Sequence, residues 1–240
     1  MGLRGWEQWL DVVLPRDCAG CGMPGVGWCR ACSSGLAALR PQLAPAAEDV
    51  GLVGVGGAYE GLLQAAVLAH KRREHPPLRE SLARLFARAL AVVAAVLRDA
   101  GAWRPPLLLV PVPPSARHPD RVPMVELARL ASRCGAGVYV APVLVARRRR
   151  RPQKGLDAQQ RAGNLAGAWL LDPRRLPPAV TRARSATVIV IDDVSTTGAS
   201  LREAAACLRA GGAPPVASVV LARALGYSQQ YGLSKHAQAR

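Results

Sequence analysis

Acidic side chains are scarce, with 16 Asp and Glu against 32 Lys and Arg in 240 residues, and the formal net charge is +16. Lysine occurs only at Lys71, Lys154 and Lys235, so arginine supplies nearly all the positive charge. Such a surface attracts polyanions and repels basic partners. An excess of Arg and Ala is also what a GC-rich genome imprints, so the charge permits a nucleic-acid or phosphate partner without assigning one. Aromatic residues make up 4% of the chain, with one Phe, which leaves little material for a base-stacking platform. Trp103, Tyr139 and Trp169 sit in helical or strand-like settings that favour core packing. No long hydrophobic run is present. The most apolar stretch, Ala89 to Leu97, falls short of the roughly 20 residues a membrane-spanning helix needs and is flanked by Arg84, Arg88 and Arg98. The first eleven residues carry Trp6, Trp9 and Leu10 in an amphipathic pattern and do not resemble a secretory leader, so a cytoplasmic location is expected. Half the residues are apolar, which excludes disorder over most of the chain and suits one core of ordinary size with a small appendage. There is no internal repeat and no Gly-Lys-Ser/Thr phosphate loop.

Cysteine is sparse and unevenly spread. Four of the six lie between positions 18 and 32, while Cys134 and Cys207 stand alone in apolar surroundings as expected buried thiols. This distribution argues against a disulfide framework. Cys18-Ala19-Gly20-Cys21 and Cys29-Arg30-Ala31-Cys32 form two CxxC pairs, and Gly22 allows a tight turn after the first. Each pair can direct two thiolates at one ion. Four sulfurs complete a tetrahedron with no open position, so Cys18, Cys21, Cys29 and Cys32 are expected to hold a structural Zn2+. A redox dithiol or an iron–sulfur cluster explains the second pair less simply. With few apolar residues of its own, the segment is expected to need the metal for its fold.

A Pro/Ala stretch from Pro41 to Ala47 separates this segment from the rest. The expected organisation is a small four-cysteine zinc-binding module over 1–45, a main domain over 46–225 and a polar tail over 226–240. In the main domain strand and helix signals alternate: extended Val50 to Tyr59, helices Leu62 to Arg72 and Arg79 to Asp99, a buried strand from Leu107, a helix Met124 to Arg133, and a strand Val138 to Val145. A second buried run, Thr187 to Ile191, a helix Ser200 to Ala210 ended by Gly211-Gly212, and a strand Val216 to Arg223 follow. This alternation predicts an α/β fold with a parallel sheet flanked by helices.

The run Val188 to Ile191 leads straight into Asp192-Asp193-Val194-Ser195-Thr196-Thr197-Gly198-Ala199-Ser200. Two carboxylates at the end of a buried strand cannot both enter the core, so they face a crevice of the kind where open α/β sheets bind ligands. They suit sugar hydroxyls or a magnesium ion. Ser195, Thr196, Thr197, Gly198, Ala199 and Ser200 supply hydroxyls and backbone N–H groups at a helix amino terminus, as a phosphate monoester requires. The alternative is a Ser200 helix cap with the acids paired to arginines. Together the acids and the turn describe a site for a ribose 5-phosphate.

These residues resemble the phosphoribosyl-pyrophosphate (PRPP) motif of type I phosphoribosyltransferases. With the paired CxxC segment ahead of them, the chain is similar over nearly its whole length to the ComF-type proteins associated with bacterial competence. Val110-Pro111-Val112-Pro113-Pro114-Ser115 is similar to the family's strand and pyrophosphate loop, with Ser115 and Arg117 as ligand contacts. Gln153, Leu156, Arg161 and Asn164 match a Q-x-x-L…R-x-x-N segment, and Tyr59 and Lys71 fit the family's earlier tyrosine and lysine. The resemblance implies a zinc-stabilised amino-terminal module on a phosphoribosyltransferase-type fold. It places Asp192 and Asp193 at the catalytic or ribose-binding position, PRPP or a nucleotide as ligand with Mg2+ accompanying PRPP, and single-stranded DNA and a helicase or other DNA-processing protein as partners. One departure is clear: where relatives read Arg-Gly-Phe-Asn-Gln, this chain has Arg121-Val122-Pro123-Met124-Val125. The Arg is kept and the Asn and Gln positions are replaced.

Arg147, Arg148, Arg149, Arg150 and Arg151 form the densest cationic stretch. Such a stretch can bind single strands through counterion release, without sequence preference, and a solvated charge run is the alternative. Two functions follow: a protein that handles single-stranded DNA in transformation and carries a PRPP-type site, or an active phosphoribosyltransferase that releases pyrophosphate. The chain shows no amino-terminal Cys nucleophile, which speaks against drawing ammonia from glutamine. Of the four histidines only His118 lies near the pyrophosphate loop.

Overall fold

The computed structural model describes residues 17–44, 50–72, 76–114, 123–133, 135, 137–146, 167–183 and 185–224. The bare apolar run at 107–110 is β3 (Leu107–Pro111), and the run at 187–191 opens β7 (Thr187–Ser195). They pair in parallel, Leu107 opposite Thr187 and Pro111 opposite Ile191. Around them a six-stranded sheet is ordered β1-β2-β8-β7-β3-β4, with β1 Gln42–Ala44, β2 Leu52–Ala58, β4 Val138–Val140 and β8 Ala217–Arg223. Every neighbouring pair is parallel except β1 on β2.

Strand side chains alternate between faces, and each face buries its own cluster. Leu107, Leu109, Ile189, Ile191, Val219 and Leu221 share a core with helices α1 (Arg30–Ala38), α2 (Gly61–Lys71), α3 (Pro76–Asp99) and α4 (Pro123–Ser132). Leu108, Val110, Val188, Val190 and Val220 pack against α6 (Ala199–Ala210). That helix turns Leu201, Ala204, Ala205 and Leu208 inward at the spacing of one helical face. A hairpin of β5 (Leu144–Ala146) and β6 (Trp169–Leu171) lies on the same side, and the short α5 (Pro178–Arg182) precedes β7. Both sheet faces are thus covered, which is why the strands read as continuous apolar runs. Among the described residues no helix is long and apolar enough to cross a membrane.

Several elements differ from the sequence expectation. Val138 to Val145 is two strands: Ala141 N–H still donates to Leu109 O at 3.1 Å, but Pro142 has no N–H to continue the ladder and Val143 N–H turns back onto Ala141 O at 2.8 Å. β7 runs four residues past the apolar run, through both aspartates to Ser195. Within the cysteine segment, for which no helix is expected from the sequence, α1 starts immediately after Cys29, whose Sγ accepts the Cys32 N–H as an N-cap. The Pro/Ala stretch contributes β1, which pairs Gln42 with Val55 and Ala44 with Val53. Cys207, expected to be buried, is half-exposed on α6, and Cys134 lies outside the described residues.

Candidate functional site

The first cluster is the cysteine segment. The four Sγ atoms lie within 4.8 Å of one another, with Cys18 to Cys32 and Cys21 to Cys29 both at 3.6 Å. A tetrahedron of Zn–S bonds near 2.3 Å has edges of about 3.8 Å, so these separations match a tetrahedral ion. The donor set is sulfur alone, and main-chain N–H groups orient it: Cys29 donates to Cys18 Sγ at 3.3 Å and Cys32 to Cys29 Sγ at 3.4 Å. Burial pushes the Cys18 thiol up, but hydrogen bonds from the main chain of Cys29, Cys21 and Gly20 outweigh it and bring it down to about 6. Burial and the neighbouring sulfurs push Cys32 up. Four cysteines arranged in this way could hold a metal ion, and the geometry is compatible with structural zinc.

The loop between the ligands is tied by bonds from Cys18 N–H to Met23 O and from Ala19 N–H to Gly27 O. Gly22 turns it at φ 75°. Gly20 has no room for a side chain, since a Cβ there would lie 2.6 Å from Cys32 Sγ and 2.8 Å from Leu62 Cδ1. The segment does not stand apart from the sheet. Cys18, Trp28, Cys29, Cys32 and Leu36 are buried in one core with α2 and α3. Arg88 of α3 donates to the carbonyls of Ala37, at 2.7 Å, and Leu39, taking up acceptors that the end of α1 would otherwise leave open.

The second cluster lies at the carboxyl ends of the central strands. From β3 the chain leaves through α4 to β4 on one side, and from β7 through α6 to β8 on the other. The strand order therefore reverses between β3 and β7, the place where open α/β sheets form a crevice. Asp192 and Asp193 stand there on β7, both half-buried, with Asp193 N–H donating to Asp192 Oδ1 at 2.8 Å. Burial pushes the Asp192 carboxyl up to about 8, and the Asp193 charge adds to the rise. Lys71, the last residue of α2, reaches Asp193 with Nζ 3.0 Å from Oδ2.

The turn that follows is open. Ser195 is buried, Thr196 and Thr197 are exposed, and Gly198, Ala199 and Ser200 are half-buried. Gly198, not Ser200, is the N-cap of α6, in the left-handed conformation at φ 74°. A side chain is strained there. Thr197 Oγ1 accepts from Ala199 N–H at 3.4 Å, and Arg202 donates to Thr197 O at 3.0 Å, holding the turn against the helix. Gly198 itself offers no side-chain cap, and Thr197 Oγ1 takes up one N–H of the first turn; the positive pole of α6 lies three residues beyond the end of β7.

Behind the turn the ends of β7, β8 and β2 run level. Ala224 N–H donates to Ser195 O at 3.0 Å and Tyr59 N–H to Arg223 O at 2.7 Å. Arg223, opposite Ser195 in register, is buried. It went unnoticed in the sequence, although a cation ending a buried strand is the same signal that marks the aspartates. Arg202 gave no signal, since an exposed helix arginine is unremarkable in this composition. Ser115, Arg117, His118, Arg121, the five arginines 147–151, and Gln153, Leu156, Arg161 and Asn164 lie outside the described residues. Trp169 is buried, Trp103 and Tyr139 are partly buried in the two cores, and the Arg98 guanidinium lies 4.4 Å from the centre of the Trp103 ring. All three serve packing. No family model matches the chain, and no curated protein matches it.

Proposed function

We propose that the crevice at the ends of β3 and β7 binds a 5-phosphorylated ribose, PRPP or a nucleotide, in a ComF-type protein that handles single-stranded DNA. The observation that carries this is the sequence of groups along one strand end: two half-buried carboxylates, then a turn with a left-handed Gly198 opening a twelve-residue helix. Asp192 and Asp193 can accept hydrogen bonds from the ribose hydroxyls, while the hydroxyls and N–H groups of Ser195 to Ser200 meet the phosphate. Ser115 and Arg117 are proposed for the pyrophosphate end, with Mg2+ arriving on that pyrophosphate. Cys18, Cys21, Cys29 and Cys32 hold a structural zinc. Arginines 147–151 and the +16 charge support the DNA partner.

Calorimetric titration with ribose 5-phosphate and with PRPP tests the site: saturable binding is expected, weakened about tenfold or more in Asp193→Asn, and no heat with either ligand refutes it. DNA handling is tested by gel shift with single-stranded DNA over a salt series. A steep loss of binding with salt is expected, and no shift at low salt removes that partner.

The pairing of two half-buried carboxylates at one strand end favours a second reading, phosphoribosyl transfer from PRPP to an amine or nucleobase. A carboxyl raised to about 8 changes its protonation near neutral pH, as acid–base chemistry requires. Asp193 beside it could stabilise positive charge on the ribose ring. Pyrophosphate release from PRPP in the presence of acceptor bases, abolished by Asp192→Asn, distinguishes transfer from binding alone.

A further inference from the structure

From the placement of Lys71 on Asp193 we infer that this lysine is the specificity-determining counter-ion of the acid pair. It occupies the place a divalent cation would take and reserves the crevice for the anionic sugar phosphate itself. Two adjacent carboxylates at a strand end ordinarily suit a small hard cation, whose ligands are oxygens. Here Asp193 Oδ2 is already engaged by an ammonium at 3.0 Å, and Asp192 Oδ1 is turned back onto the Asp193 N–H at 2.8 Å. Two of the four carboxylate oxygens are thereby committed, and a divalent ion would meet a fixed positive charge within a few ångströms. The Asp193 side chain is 17% exposed and that of Lys71 38%, so the lysine is the more accessible member of the pair. An ammonium has three donors. With one on Asp193, the others can be offered to a phosphate or hydroxyl oxygen.

The arrangement is built by the fold. Lys71 ends α2, which follows β2, two strands away from β7 in the sheet. Buried Leu63, Ala66, Val67 and Ala69 anchor α2 in the core shared with Ile189 and Ile191. The sole lysine among the described residues is thus held where the aspartates end their strand, in a chain whose cations are nearly all arginine. A magnesium ion that enters with PRPP would then stay on the pyrophosphate oxygens, not on the aspartates.

The metal half of the inference is independent of the proposed function, and the ligand half rests on it. The probe is Mn2+ alone, read as free Mn2+ by electron paramagnetic resonance, on the full chain with its cysteine site left as purified. Wild type and Lys71→Arg are expected to bind Mn2+ weakly. Lys71→Met, which keeps the length of the side chain, and Lys71→Ala should each gain about tenfold or more in affinity once the adjacent positive charge is gone. Adding Asp193→Asn to either should remove the gain. Equal Mn2+ affinity in wild type and Lys71→Met overturns the inference, as does a gain that survives Asp193→Asn. In the second arm ribose 5-phosphate is titrated with and without Mg2+. Wild-type affinity should change less than about twofold and that of Lys71→Met should depend on Mg2+, following the same electrostatic exchange. A Mg2+ requirement in wild type overturns the ligand half. Absence of ribose 5-phosphate binding in every buffer refutes the sugar-phosphate reading while the Mn2+ result still decides the role of Lys71.

Discussion

The cysteine segment and the crevice are both small clusters of polar atoms set against the same sheet, yet they are finished differently. In the first, three of the four sulfurs belong to buried residues and main-chain N–H groups are aimed at the ligands, so its donors converge on a point inside the protein. In the second, the carboxylates and hydroxyls line the ends of strands and a helix start, and Thr196 and Thr197 stand exposed. A cluster whose donors converge on one point can only hold something in place. One whose donors are left at a rim can exchange what it holds.

The comparison can be broken most forcefully at the cysteines. Cys32→Ser should cost about 3 kcal/mol or more, since structural metal binding is folding energy. Because the segment shares its core with α2 and α3, the loss should appear in thermal unfolding of the whole protein and in amide exchange of α3. Zinc near one equivalent by elemental analysis is expected in wild type. At the crevice the reverse is expected: Asp193→Asn should weaken ribose 5-phosphate about tenfold to a hundredfold, the worth of one or two hydrogen bonds to a charged group, with little change in melting temperature. Calorimetry and a thermal scan on the same sample separate the two.

Two glycines sharpen the contrast. Gly20→Ala puts a methyl 2.6 Å from Cys32 Sγ and should destabilise by about 1–3 kcal/mol, as overpacking does. Gly198→Ala meets backbone strain at φ 74° and should cost about 1 kcal/mol, with sugar-phosphate affinity falling alongside. Denaturant titration of both variants checks the order.

A further difference concerns pH. The folded Asp192 carboxyl, raised to about 8, keeps a proton that the unfolded chain gives up near the ordinary carboxylate range. The folded state is therefore favoured at low pH and loses this advantage as pH rises from about 4 to about 8, with no further change above. Asp192→Asn, which cannot ionise, should flatten that slope and leave the variant more stable than wild type at pH 8. Denaturant midpoints at pH 5, 7 and 9 measure it.

The sheet was legible wherever a strand is buried on both faces. Leu107 to Val110 and Thr187 to Ile191 can satisfy their side chains only between two helical layers. Elements built on local exceptions were not. β1 is three residues beside a Pro/Ala stretch, β6 is three residues around Trp169, and α1 begins on a cysteine cap; none carries enough period to register. The candidate site was legible where it is contiguous, from Asp192 to Ser200 and in the two CxxC pairs. The contacts of Lys71 with Asp193 and of Arg88 with the end of α1 depend on how α2 and α3 lie across the sheet, and no local pattern encodes that.

β1 occupies the outer margin of the sheet, its Gln42, Leu43 and Ala44 covering Val55, Gly54 and Val53 of β2. It is tethered through α1 to the cysteines, so an ion held there also governs a border. Should demetallation release that strip, β2 would present an unpaired ladder of N–H and C=O groups to its surroundings, the template on which chains add to one another. Depletion of the ion would then be noticed first as self-association, through turbidity or a growing hydrodynamic radius.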